Sequence, residues 1–256
     1  MCFDANSTPP VTGKPITQAT TTRITLRSSD GAEFSAFLAC PEHKTGVGIV
    51  VLPDMRGLYR FYEQLALRLA EQGHVAIAMD YFGRTAGAGA RDETFPFKEH
   101  VFRLKRETLE ADITTAAAFL RTEQGGNCRS TIALGFCFGG RQAFFASAPR
   151  FGFAGVIGFY GALNLYPNGA AGPLQHAADL GAPILGIFGG ADHGIPPSDI
   201  AAFDQALSTA VVEHEFVTYP NAPHSFFDVK YAEHAEACAD AWHRVLEFIS
   251  QRSRTH

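Results

Sequence analysis

Five short apolar runs punctuate this chain, and they leave few folds open to it. They are Val47–Leu52, Val75–Met79, Thr131–Phe136, Gly155–Tyr160 and Ile184–Phe188. None shows the polar/apolar alternation of a half-solvated strand, so each reads as a strand covered on both faces. Segments of helical period lie between them. Arg60–Gln72 places Leu65, Ala66 and Leu69 on one stripe and ends at Gly73. A long helix is expected over Phe97–Arg121, with Leu104, Leu109, Ile113, Ala116, Ala117 and Leu120 facing inward. A closing helix is expected over Glu233–Ile249, while the Gly/Ala-rich stretch 83–91 reads as a loop. Strands alternating with helices predict an α/β fold: a mostly parallel central sheet with helices on both faces.

The ends of the pattern differ. Arg23–Arg27 and Glu33–Leu38 alternate around Asp30-Gly31, which predicts a hairpin. Val212–Tyr219 alternates too and suits an outer strand. Residues 1–22, rich in Thr, Pro, Ser and Ala, read as an irregular arm, leaving 23–252 as one domain.

Composition removes several function classes. Hydrophobic residues make up 46% and charged residues 18%, enough for a large core. The net charge is −5 and no Lys/Arg-rich run occurs, so nucleic acid is not an expected partner. The longest uncharged stretch, 151–178, is broken by glycines and prolines and is not expected to enter a membrane. Cys2, Cys40, Cys128, Cys137 and Cys238 are odd in number, scattered and without a C-x-x-C pair. Neither a disulfide framework nor a cysteine zinc site is expected. The first residues lack a basic and then apolar leader pattern, so a cytoplasmic, reducing setting is expected, as a monomer or small homo-oligomer.

The sharpest local signal is Gly135-Phe136-Cys137-Phe138-Gly139-Gly140, between an apolar strand and a helical segment. This is a nucleophile-elbow pattern with Cys at its centre. A tight strand-to-helix turn strains the central residue and brings backbone against the flanking positions, which must then be Gly. The side chain at the centre projects above the sheet. The helix N-terminus favours a thiolate, and the Phe138 amide points at a developing oxyanion.

Such a thiol needs a base, and the base an orienting acid. In elbow folds the chain order is nucleophile, acid, histidine. Asp192, just past the run 184–188, and His224, after the last strand, satisfy it. His193 is the competitor for the base, but it adjoins Asp192 in sequence. His234 and Cys238 have the i, i+4 spacing of a metal pair without a third ligand, so no metal is expected.

These segments, together with Leu52-Pro53-Asp54-Met55-Arg56-Gly57-Leu58, Met79-Asp80-Tyr81-Phe82-Gly83-Arg84, Gly189–Pro196 and Ala222-Pro223-His224-Ser225-Phe226, resemble the dienelactone hydrolase family of α/β-hydrolases. The resemblance spans roughly 23–250 and implies an α/β-hydrolase fold. It implies a triad of Cys137, His224 and Asp192, an oxyanion hole of the Met55 and Phe138 amides, and no cofactor. It implies hydrolysis of a small ester or lactone, the namesake being 4-carboxymethylenebut-2-en-4-olide. Two positions depart from the family. Asp54 stands where a thiol-activating glutamate is usual. Asp228 stands where the namesake enzymes carry an arginine that grips the substrate carboxylate. Arg84 matches a second family arginine and is the expected substrate cation, with Arg56 and Arg141 as further candidates. The mouth is expected to include Tyr59, Tyr81, Phe82, the 83–100 loop and Tyr160, with Phe144 and Phe145 in the core.

Two other readings carry different expectations. A non-catalytic elbow fold that binds a ligand or partner would not need the triad. A redox thiol would need a resolving cysteine, and Cys128 is the nearest in sequence.

Overall fold

In the computed structural model, which describes residues 6–92, 94–166 and 169–253, the apolar runs are the strands of one sheet. Cys2 lies outside the described residues. The strands are β1 (Ala19–Arg27), β2 (Glu33–Pro41), β3 (Val47–Leu52), β4 (Val75–Met79), β5 (Ser130–Phe136), β6 (Gly155–Phe159), β7 (Ile184–Gly189) and β8 (His214–Tyr219). Their spatial order is β1-β2-β4-β3-β5-β6-β7-β8. The hairpin strands β1 and β2 are antiparallel, β2 also runs antiparallel to β4, and every pairing from β4 to β8 is parallel. Strand β1 begins at Ala19, so the last four residues assigned to the arm belong to the sheet.

The helices cover both faces. On one face α1 (Arg60–Glu71) sets Phe61 and Tyr62 against Phe136 of β5, and α7 (Ala235–Ser253) sets Phe248 against Gly155. On the other, α4 (Arg106–Arg121) lays Leu120 over Gly48, and α5 (Phe138–Ala146) lays Phe144 over Gly158. Phe144 also meets Phe203 of α6 (Pro197–Thr209). Strands β3 to β7 are buried at every position, as expected of strands without alternation. No helix among the described residues is long and apolar enough to cross a membrane.

Two expectations from periodicity need correction. Stretch 83–91 opens with a short helix, α2 (Gly83–Ala86). The single helix expected over 97–121 is two, α3 (Phe97–Val101) and α4, broken at 102–105. The two pieces answer to different partners. His100 of α3 stacks on Phe95, 4.9 Å between centroids, and bonds to Thr85, whereas α4 packs on β3 and β4. One straight rod does not reach both, and Leu104 falls in the break.

Arg84 is turned away from the expected pocket. Its guanidinium donates to both carboxylate oxygens of Asp112 on α4, at 2.6 and 3.2 Å, and to Asp30 in the hairpin turn. Ser28 also donates to the buried Asp112 carboxylate. The arginine thus pins hairpin, α2 and α4 together. Arg84→Met strands Asp112 and should lower stability by about 3 kcal/mol, the low end for breaking a buried pair because Arg84 keeps some exposure. Urea unfolding measures this; a loss below about 1 kcal/mol would mean the pair acts only as a surface bridge.

Candidate active site

The site starts at the end of β5. Cys137 has φ 54° and ψ −112°, a conformation few side chains adopt. Its N–H donates to Phe159 O at 2.9 Å, and Arg141 N–H returns to Cys137 O, so strand and helix are stitched on either side of the bend. The flanking glycines are required by contact. A Cβ at Gly135 would run into the Gly139 carbonyl, and one at Gly139 into the carbonyls of Leu52 and Pro53. Backbone from β3 therefore lies directly on the elbow, which brings Asp54 and Met55 beside Cys137.

Met55 and Phe138, the expected oxyanion donors, sit on the two sides of that contact. Phe138 is the first residue of α5, where an N–H has no intrahelical acceptor. Among the described residues neither N–H donates to a protein acceptor.

A second close approach brings Asp192 and His224 together. A Cβ at Gly189 would meet the Ala222 carbonyl, and one at Gly190 the Pro220 carbonyl. The loop after β8 can thus settle on the end of β7, where Ala191 N–H donates to Ala222 O at 3.0 Å. Ser225, with φ 60°, then turns the chain so that Phe226 and Phe227 return to the core and His224 does not. His224 Nδ1 lies 2.6 Å from Asp192 Oδ2, and Asp192 Oδ1 accepts the Gly194 N–H at 2.9 Å. Burial raises the affinity of Asp192 for a proton. The hydrogen bond and charge of His224, with the Gly194 N–H, outweigh it and hold the carboxyl below its ordinary value. The competitor His193 is exposed.

Tyr160 links this pair to the elbow. Phe136 and Phe159 are paired residues of β5 and β6, so Cys137 and Tyr160 take the next positions on neighbouring strands. The Tyr160 ring lies 5.0 Å from the His224 ring. Its own φ of 37° and its N–H bond to Ile187 O, 2.7 Å, fix it as a buried ring tilted against the imidazole.

The opposite wall holds Asp54 and Tyr81. Asp54 is buried and accepts from the Arg56 N–H at 2.8 Å and the Tyr59 hydroxyl at 2.9 Å, while its own N–H donates to Tyr62 Oη. Burial pushes its carboxyl up to about 6 despite these bonds. Tyr81 donates to Pro53 O at 2.7 Å and packs its ring on Phe138. Burial, and then the charges of Asp54, Asp80 and Cys137, keep its phenol well above the ordinary value, which puts Asp54 and Cys137 within electrostatic reach of one ring.

Other expected residues lie elsewhere. The Arg141 guanidinium is buried, donating to the carbonyls of Ala162, Asn164, Ala170 and Ala171 and stacking on Tyr166. Asp228 is buried against the N-terminal arm, accepting the N–H groups of Thr8 and Lys230. Cys238 donates to Phe226 O from the core, so its spacing from His234 is no metal pair. Cys128 precedes β5, at the end of the sheet opposite Cys137. Sequence reasoning missed Arg91, whose guanidinium closes on Asp80 at 2.9 Å with both side chains nearly inaccessible. No local pattern announces it, because the two residues are 11 apart in the chain and share no regular element.

Comparison with known proteins agrees with this architecture. Residues 34–253 match the model of the dienelactone hydrolase family. The chain is 30% identical over 233 residues to "Putative carboxymethylenebutenolidase" of Yersinia pestis, covering 87% of this chain and 85% of that protein. The crystal structure of "Putative Dienelactone Hydrolase" from Klebsiella pneumoniae superposes with a TM-score of 0.79 at 29% identity, covering 91% of this chain and 99% of its own. A Pyrococcus furiosus esterase shares the fold at 13% identity and a TM-score of 0.69, covering 95% and 97%.

The Asp54 carboxyl makes stability depend on pH. Unfolded, it titrates near 3.8; folded, at about 6. Between these values the folded chain holds a proton the unfolded chain has lost, so the Asp54 contribution falls as pH rises and is flat above about 6, a difference on the order of 3 kcal/mol. Asp54→Asn cannot titrate. From pH 4 to pH 8 its stability relative to wild type should improve by that order in urea unfolding. A gap that does not move with pH would show that Asp54 is not held at a raised value.

Proposed function

The chain belongs to the dienelactone hydrolase family, and we propose from this and the site's geometry that it is a cysteine-dependent hydrolase of small carboxylic esters and lactones. The observation that carries the reading is the His224–Asp192 hydrogen bond, formed beyond the ends of β7 and β8 at the same edge of the sheet as the strained Cys137 after β5. With Nδ1 committed to Asp192, Nε2 is the nitrogen left for chemistry.

In the proposed cycle His224 takes the thiol proton, and the Cys137 sulfur attacks the substrate carbonyl carbon. The oxyanion is held by the Met55 and Phe138 N–H groups, a contribution of about 3 kcal/mol per donor in comparable sites. Collapse expels the alkoxide or enolate, which receives the proton from His224, and leaves an acyl-thioester on Cys137. Water, deprotonated by His224, attacks the thioester; the acid departs and the thiol is restored. Asp192 holds the imidazole in one tautomer and offsets its positive charge. Asp54, across from the thiol, is the proposed residue that tunes the resting sulfur. A thiolate nucleophile suits leaving groups already activated, such as enolates and phenolates, better than amides.

Hydrolysis of 4-nitrophenyl butyrate tests the reading. Cys137→Ala should abolish turnover with an unchanged melting temperature. Asp192→Asn should lower kcat by about 10²–10⁴-fold, since the wrong tautomer is then favoured. Retained turnover in Cys137→Ala would assign the chemistry to another nucleophile.

A further inference from the structure

Loops and helix starts beyond the carboxyl ends of the strands carry several cations in the neighbourhood of Cys137. Arg60, Lys98, Arg103 and Lys105 are exposed to solvent. Arg56, Arg84, Arg91, Arg141 and the exposed Lys230 are each already engaged. Arg84 is held by Asp112 and Asp30. Arg91 closes on Asp80, and its charge lies 4.7 Å above the Phe95 ring. Arg141 spends its donors on loop carbonyls. Lys230 faces Asp228 and Ser7. Arg56 lies over the Tyr59 ring, 4.6 Å from its centroid, where its charge offsets that of Asp54.

What remains around the sulfur is aromatic and, on one side, acidic. Tyr81 and Phe138 form one wall and Tyr160 another. Tyr166, stacked 3.8 Å over Arg141, stands within electrostatic reach of Cys137. Buried Asp54 is ionised above a pH of about 6 in spite of the nearby Arg56 charge, and a carboxylate entering the site would approach a second carboxylate while Arg56 stays over the Tyr59 ring.

We infer that this site selects uncharged esters and lactones and discriminates against substrates that carry a carboxylate. The inference rests on the hydrolase reading and narrows it. Two positions that would carry a substrate-gripping arginine have been taken out of that service: residue 84 holds the hairpin, and residue 228 is a buried aspartate facing the N-terminal arm.

Charge preference can be read without turnover, by alkylating Cys137 with a matched neutral and anionic reagent. The thiolate sulfur displaces iodide from iodoacetamide or from iodoacetate, and peptide mass spectrometry at residue 137 follows each rate at pH 8. The iodoacetamide/iodoacetate rate ratio should exceed that of N-acetylcysteine amide, an uncharged thiol, by at least about tenfold, the factor expected of roughly 1.4 kcal/mol of repulsion. In parallel, kcat/KM for 4-nitrophenyl butyrate should exceed that for 4-nitrophenyl hemisuccinate by a similar factor. An alkylation ratio at or below the reference, or a preference for the hemisuccinate, overturns the inference. A raised ratio with neither ester hydrolysed leaves the charge preference standing and overturns the hydrolase reading instead.

Discussion

Backbone packed on backbone at Gly139 is the contact from which the site is built. With no side chain there, the carbonyls of Leu52 and Pro53 press on the first turn of α5, and strand β3 delivers Asp54 and Met55 to the thiol. The same closeness leaves Cys137 no relaxed conformation, and its φ of 54° is a local cost on the order of 1–3 kcal/mol. The sheet can bear it because β3, β5 and β6 are buried throughout, and each holds the next in register. The glycines at 189 and 190 repeat the device, lowering the His224 loop onto the end of β7.

Charge is arranged around that frame with a consistent pattern. Buried or half-buried arginines are matched to carboxylates or carbonyls that hold structure: Arg84 with Asp112, Arg91 with Asp80, Arg141 with the carbonyls of Ala162, Asn164 and Ala171. Each costs desolvation, and each returns a fixed position for a loop that rims the site. Near the sulfur the outcome is different. Asp192 is matched by His224, but Asp54 has only hydroxyl and amide donors, with Arg56 nearby. Its raised proton affinity is the electrostatic trace of that incomplete compensation. Backbone strain at Cys137 and a raised proton affinity at Asp54 thus fall at one edge of the sheet, a combination common at functional sites.

Much of this was legible residue by residue. Unbroken apolar runs at 47–52, 75–79 and 131–136 can only be strands covered twice, and they are. The glycines of 135–140 marked the elbow because no other residue type tolerates that packing. Helix 97–121 was misread because a continuous apolar stripe carries no information about which partner each turn will meet. Arg84, Arg141 and Asp228 were misplaced for a related reason: a charged side chain reaches several ångströms, and its direction depends on which opposite charge or carbonyl the fold sets nearby.

The linear order of residues therefore determined the layers, the parallel sheet and the bend at Cys137, because these follow from local sterics and from the period of burial. Only the folded chain decided that Asp192 and His224 meet, that Asp54 is cut off from water, and that the arginines near the mouth look elsewhere. Those are outcomes of distance and dielectric, and both are set by segments far apart in the chain, as in the contact of Thr8 with Asp228, 220 residues away.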